Sequence, residues 1–544
     1  MITLSGKSVY QDICIGKIHF LMKEKNIIQQ YHIENTQKEI KRFENAKQEG
    51  ILQLQGLYQK AIREAGDENA AIFEIHQMLM DDDDYCESII QIINNQKVNA
   101  EFAISSTSDN FSQMFASLDD TYMQGRAADI VDVSNHLLNI LSGGGNELET
   151  LQEPAIIAAD DLLPSETIKL DKRRVLGFAI QNGSVNSHTA ILARSMGIPA
   201  LVSLGKDFDQ KYNGATAIID GFSGKIYLEP DDLTKLSMAQ RQKEIAEGKQ
   251  LLASLKGKES ITLDGKTIHL YANIGSVSDV NEVLLNDAEG IGLFRSEFLY
   301  LENDNYPTEE QQFSAYKSVV ENMGGKKVII RTMDIGADKQ ADYFQLENEE
   351  NPALGYRAIR ICLTKTDIFK TQLRAIYRAA LFGTISIMFP MIISLNEIIK
   401  IKKIMSEVKE ELTEEGIPFK DNVEVGIMIE TPAAALISDE LVKEVEFFSI
   451  GTNDLTQYTL AIDRQNQKLE EFYEPHHPAI LKMIQIIADN AHKAGKWVGI
   501  CGELASDITL TETFIRMGID ELSVSPKMVL ALRKKIREID TSLL

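Results

Sequence analysis

From about residue 33 to 143, apolar positions recur in three- and four-residue steps. Ile40, Phe43 and Ala46, then Ile51, Leu54 and Tyr58, stand among Lys, Gln and Glu, the pattern of helices with one buried stripe. "AIFEIHQMLM" (71–80) and "ADIVDVSNHLLNIL" (128–141) continue it, and "SGGGN" (142–146) ends it. Long helical hairpins are predicted. The period changes on either side. "CIGKIHFL" (14–21) alternates as a strand does, and residues 155–228 set short β runs around a helix predicted for 189–196: "AIIAAD", "RVLGFAI", "ALVSLG", "TAIID" and "GKIYLEP". A small α/β domain follows, with the early strand joined to it and the helical block inserted between them: residues 1–22 and 147–230 around 23–146.

A charged helical stretch (231–257) reads as a linker, placed at 231–260. Beyond it, from 261 to 544, a strand-then-helix unit repeats. Strands are predicted at 268–274, 289–294, 327–332, 384–391, 423–430, 447–453, 497–503 and 521–526. Eight such units over this length fit a (β/α)8 barrel. An open doubly wound sheet and a barrel missing one strand are the alternatives. The expected class is therefore α/β, multidomain.

Length and charge narrow the functions. A chain of 544 residues exceeds one compact domain. Its net charge of −25 disfavours nucleic acid and anionic membrane surfaces as partners. The first twenty residues lack the apolar core of a signal peptide, and no window suits a bilayer span. Cys14, Cys86, Cys362 and Cys501 are scattered without a CxxC pair, which suggests neither a zinc site nor a disulfide framework. A cytoplasmic protein is expected.

Barrel chemistry belongs at the C-terminal ends of the strands. Those ends carry Arg295, Arg331, Glu430, Asn453 with Asp454, and Cys501, while Arg357 and Arg464 lie in connections leaving the same rim. Packing alone would place apolar or capping groups there. Arginine forks suit phosphate and carboxylate oxygens. Glu430 and Asp454 offer hard oxygen ligands for Mg²⁺, which commonly takes one or two carboxylates plus substrate phosphate and water. Cys501 at a strand end is a candidate proton donor or acceptor, or simply a small buried hydrophobe. Elsewhere, "SVNSHTAILARSMGIPA" (184–200) puts His188 at the mouth of the predicted helix, where backbone N–H groups favour anions. A histidine there is a plausible phosphoryl acceptor, and the rim is a plausible holder of a phosphoryl donor with Mg²⁺. The linker would let one reach the other.

These segments together resemble the enzyme I family of the bacterial phosphoenolpyruvate:sugar phosphotransferase system. The resemblance spans essentially the full length. Its markers are "SHTAILARSMGIPAL" (187–201), "GIGLFRSEFLY" (290–300), "RTMDIGADK" (331–339), "ENPALGYRAIR" (350–360), "GIMIETPAA" (426–434), "IGTNDLTQYTLAIDR" (450–464) and "CGELASD" (501–507). It implies that His188 takes the phosphoryl group of phosphoenolpyruvate and passes it to a histidine of the carrier HPr. It further implies that Arg295, Arg331, Asn453, Asp454 and Arg464 hold the substrate, with Arg357 close by, and that Glu430 and Asp454 bind Mg²⁺. Cys501 would protonate the enolate to pyruvate, and Thr167 would hydrogen-bond His188. A homodimer through the barrel is implied, as is HPr docking on the helical insertion, where "FEIHQMLM" (73–80) and Arg126 fall in matching segments.

The chain departs from the family pattern away from the barrel. "GSVNSH" stands where GGxTSH is usual, "VYQDICIG" where ASPGIAIG is, and Gly125 and Val131 where Glu and Arg are. Phosphoenolpyruvate synthases and pyruvate phosphate dikinases share the two domain types but need a nucleotide-binding domain, for which the first 150 residues are too few. A second reading is a divergent paralogue that serves a regulatory carrier or acts as a docking module.

Overall fold

In the computed structural model, residues 1–544 are described except 22–27, 66, 117–120, 144–152, 163–169, 171–172, 186, 188, 191–192, 195–196, 337–340, 348 and 543–544. His188, Thr167 and much of the helix predicted over 189–196 lie outside the described residues. The chain divides into two compact units, Met1–Glu247 and Gly248–Leu544. The division falls within the helix Asp232–Ala253, which buries no residue along its length.

The first unit is built on one eight-stranded sheet. Its strands are β1 (Ile2–Ser5), β2 (Lys7–Tyr10), β3 (Ile13–Phe20), β4 (Ala155–Ala159), β5 (Val175–Ile180), β6 (Ala200–Val202), β7 (Thr216–Asp220) and β8 (Lys225–Leu228), in the order β1-β8-β7-β3-β4-β5-β6-β2. β3 through β6 are parallel, and β7, β8, β1 and β2 pair antiparallel. The near-continuous apolar runs of β4 and β5 reflect burial on both faces. β1 and β2 were not expected from the hydrophobic pattern. Each is four residues long and mostly exposed or half-buried. They form opposite edges of the sheet, yet a single residue, Gly6, joins them. The sheet therefore curls until its edges meet: the Gly6 N–H donates to the Gly224 carbonyl at 2.9 Å, and a Cβ on Gly6 would stand 2.7 Å from the Val202 carbonyl.

Between β3 and β4 run the helices Thr36–Ala65, Asp67–Met80, Asp83–Gln96, Ala100–Ala116 and Thr121–Leu141. Their apolar stripes meet in a separate core that includes Phe43, Leu54, Phe73, Tyr85, Ile89, Ile104 and Leu137. Each such side chain contributes about 1.5–3 kcal/mol on burial. The Tyr85 hydroxyl is satisfied inside it by Ser134 at 2.6 Å.

The second unit is a closed barrel of eight parallel strands: β9 (His269–Ile274), β10 (Gly290–Arg295), β11 (Val328–Arg331), β12 (Ile385–Phe389), β13 (Glu424–Ile429), β14 (Phe447–Ile450), β15 (Trp497–Ile500) and β16 (Glu521–Val524). All eight fall where the pattern placed them. Closure through the β16–β9 pair excludes the open sheet and the seven-stranded form. Tyr271, Leu293, Ile329, Met388, Met428, Phe447 and Cys501 fill the interior, and Phe447 stacks on Trp497 with ring centroids 4.5 Å apart. Outer helices bury one face each. Leu395–Glu414, opened by a Ser394/Glu397 capping box, presents Ile398, Ile401, Met405, Val408 and Leu412 inward.

Candidate active site

Each predicted rim residue follows from a strand's end. Arg295 and Arg331 are the last residues of β10 and β11, and Glu430 and Cys501 directly follow β13 and β15. Asn453 and Asp454 open the helix Thr452–Leu460 after β14. Buried strands deliver these groups through apolar walls to one open mouth.

There the structure assembles a buried ionic cluster. Arg331 donates to Glu297 at 2.5 Å and pairs with Asp334 at 3.1 Å. Arg357 bridges both Asp334 oxygens at 2.9 and 3.1 Å and reaches Asp454 at 3.2 Å. It also donates to the Tyr458 hydroxyl at 3.1 Å. Arg464 approaches Asp454 at 3.9 Å. Glu430 accepts the Met391 N–H at 2.6 Å. Met391 adopts φ 58°, a left-handed conformation that aims this donor inward.

The buried members are two guanidiniums, Arg331 and Arg357, against four carboxyls, Glu297, Asp334, Glu430 and Asp454. The imbalance shows in Glu430, whose carboxyl is pushed up to about 8 by burial first and then by Asp454 and Asp334, with Arg331 and Arg357 opposing. Surplus negative charge on hard oxygens fits a small divalent cation. Among the described residues no cluster of three or more His, Cys, Asp or Glu side chains is arranged to hold a metal. Glu430 and Asp454 are hard oxygen donors of the kind Mg²⁺ takes together with substrate phosphate and water.

Beside the cluster lies a cavity of about 400 Å³. Arg295, Asn453 and Cys501 line it, together with Asn273, Glu503 and Ser525. Arg295, exposed at the end of β10, presents its side chain to this cavity. Asn453 and Glu503 clasp each other, the Asn453 amide donating at 3.1 Å and the Glu503 N–H at 2.9 Å. Cys501 is buried, and its thiol contacts the Ile450 carbonyl at 3.7 Å. Burial pushes that thiol up to about 12, so it carries its proton at neutral pH.

All the predicted barrel residues thus converge on one mouth. Glu297, Asp334, Tyr458 and Glu503 were missed. Glu297 and Asp334 sit two and three residues beyond the arginines that end β10 and β11, so reading one turn past each strand end finds them.

Three domain models match: "PEP-utilising enzyme, N-terminal" at residues 5–126, "PEP-utilising enzyme, mobile domain" at 151–224 and "PEP-utilising enzyme, PEP-binding domain" at 249–541. The chain belongs to the PEP-utilising enzyme family. Among its relatives, the phosphoenolpyruvate-protein phosphotransferase of Priestia megaterium is 41% identical over 98% of this chain and 94% of its own length. That of Haemophilus influenzae is 43% identical over 99% and 94%. A solution structure of an Enzyme I protein, 34% identical, covers 45% of this chain and 99% of its own, with a TM-score of 0.40. The family's PEP-binding region coincides with the barrel that carries the ionic cluster.

Proposed function

We propose that this chain is a phosphoenolpyruvate–protein phosphotransferase that moves the phosphoryl group of phosphoenolpyruvate to its own His188 and then to a histidine of an HPr-like carrier, releasing pyruvate. The observation that supports this most is the cluster of Arg331, Arg357, Glu430 and Asp454 at one barrel mouth beside a protonated Cys501. It is a phosphoryl-holding site with an acid within it.

In this reading Arg295, Arg331 and Arg464 neutralise phosphate and carboxylate oxygens, with Arg357 holding Asp454 in place and Asn453 orienting the substrate. Glu430 and Asp454 hold Mg²⁺, which neutralises charge on the transferring group when bound. The His188 imidazole attacks phosphorus as the bond to the enol oxygen breaks, and Cys501 gives its proton to C3 of the enolate. Thr167 steadies His188. Residues 1–22 and 147–230 form the phosphohistidine domain, 23–146 the carrier-docking insertion, in which Arg126 falls in a segment matching the family's, 231–260 the linker, and 261–544 the substrate barrel and dimer contact. A cytoplasmic location suits the phosphoenolpyruvate supply. Among the described residues no helix is long and apolar enough to cross a membrane.

Intact-mass measurement of the chain with Mg²⁺ and phosphoenolpyruvate tests the reading. A gain of about 80 Da, acid-labile and absent from His188→Ala, is expected. No gain by a folded chain, with Mn²⁺ also tried, favours a docking module instead.

A further inference from the structure

Cys501 stands just past the end of its strand. The ladder between β15 and β16 pairs Gly499 with Glu521 and Ile500 with Leu522. Cys501 and Ser523 come next in that register, but β15 ends at Ile500. A side chain bridges the two strands where the ladder stops. The amide nitrogen of Asn273, on β9, donates to the Cys501 carbonyl at 3.1 Å and to the Ser523 carbonyl at 3.2 Å. Both partners are carbonyls, so the amide can turn only its NH₂ toward them. Its oxygen accepts the Ser523 hydroxyl at 2.6 Å, which holds the amide against rotation. Gly292 on the neighbouring β10 leaves room for this contact: a Cβ there would stand 2.4 Å from the Ser523 Oγ.

From the other side, the Cys501 N–H donates to the Ile450 carbonyl, at the end of β14, at 3.1 Å. Cys501 is thus held at its N–H by β14 and at its C=O by β9, the strands that flank the β15–β16 pair. With both peptide groups fixed, the thiol keeps only rotation about χ1, and burial restricts that. Asn273 and Cys501 line the same cavity. The Asn273 amide has two N–H bonds and two carbonyls to serve, so it offers no donor to an anionic substrate. Its work is done on Cys501.

We propose that Asn273 is a positioning residue for proton transfer, aiming the Cys501 thiol at one face of the enolate. This rests on the reading of Cys501 as the acid. In that step the S–H bond breaks, a C3–H bond of pyruvate forms, and sulfur keeps the electron pair as a thiolate. A thiol held in one place delivers its proton to one face, whereas an enolate left waiting is protonated by water on either. The phosphoryl end is held by other strands and loops, through Arg331 with Glu297 and Arg357 with Asp454. Loss of Asn273 therefore acts on the proton and not on the phosphoryl group.

The stereochemistry of the new methyl group tests this. Phosphoenolpyruvate carrying deuterium at one defined C3 position is turned over by a stoichiometric amount of the chain with Mg²⁺ in tritiated water. The methyl group then bears H, D and T, and the pyruvate is trapped at once by reduction to lactate. The unmodified chain should give one configuration. Asn273→Asp keeps the shape but sets a carboxylate against two carbonyls. In the pyruvate it forms, the excess of one configuration should fall to about half or less. If Asn273→Asp does not fold, Ser523→Ala, which frees the amide to rotate, should lower the same excess. A folded variant that keeps one configuration, or that forms no phosphoenzyme, overturns the proposal. A racemic methyl from the unmodified chain, or a single configuration from Cys501→Ala, would instead overturn the reading of Cys501 as the acid. Absence of pyruvate from the unmodified chain would overturn the phosphotransferase reading.

Discussion

Arg357 reaches across from the loop before the helix Ile359–Thr364 and holds Asp454, in the first turn after β14, at 3.2 Å while its other contacts grip Asp334. One buried guanidinium thus fixes two carboxylates from different connections. Arg357→Met should leave both without that cation, and breaking a buried pair in this way costs about 3–5 kcal/mol. The expected result is a lower melting temperature together with a loss of phosphoenzyme formation of about 100-fold or more. Thermal unfolding and a timed mass measurement check both. A variant that melts normally would mean that Arg357 adds charge to the mouth and does not hold it together.

Glu430 and Asp454 are expected to set the Mg²⁺ requirement. Glu430→Gln and Asp454→Asn remove one hard anionic oxygen donor each while keeping shape. The Mg²⁺ concentration for half-maximal phosphoenzyme formation should rise at least about tenfold, the size of effect that losing an outer-shell partner already produces. A magnesium titration of phosphorylation reads this directly. An unmoved midpoint in both variants would place the ion elsewhere.

Cys501 gives a pH signature. Alkylation requires the thiolate, and burial pushes this thiol from an ordinary value of 9.0 up to about 12. Below pH 9 the native chain therefore holds about 1000-fold less thiolate at Cys501 than an unperturbed cysteine would. Iodoacetamide labelling, mapped by peptide mass, should stay slow from pH 7 to 9 and become fast only on unfolding. Cys501→Ala should slow pyruvate formation by about 100-fold. Ready labelling of native Cys501 near neutrality would contradict an acid held protonated for the enolate.

The barrel was legible in the chain because each strand is a short buried run bounded by turn residues, and eight in sequence leave few alternatives. Arg295, Arg331, Glu430, Asp454 and Cys501 were legible for the same reason: the strand ends fix where a barrel keeps its reactive groups. Asp334 and Glu297 were not, since a carboxylate in a loop reads as an ordinary solvated residue until the fold shows it buried against an arginine. β1 and β2 were missed because edge strands of four residues bury too little to leave a period. Pairing partners far along the chain, at Lys225–Leu228 and Ala200–Val202, not local pattern, define them.

Those two strands make the last prediction. β1 pairs with β8 and β2 with β6, so the short stretch from Ile2 to Tyr10 closes the sheet of the first unit, and its turning point is Gly6. A side chain there has nowhere to go. Its Cβ would stand 2.7 Å from the Val202 carbonyl and 2.9 Å from a Leu204 methyl, and a backbone oxygen in a paired strand cannot swing aside as a flexible side chain can. Gly6→Val should push the two edges apart at a cost of about 1–3 kcal/mol. Because the barrel is a separate compact unit, the damage should stay local. Hydrogen exchange should quicken in β1, β2, β6 and β8 while the barrel strands keep their protection. Unchanged exchange in β2 and β6 would mean that the sheet tolerates an opening at Gly6, and that closure there is incidental to its stability.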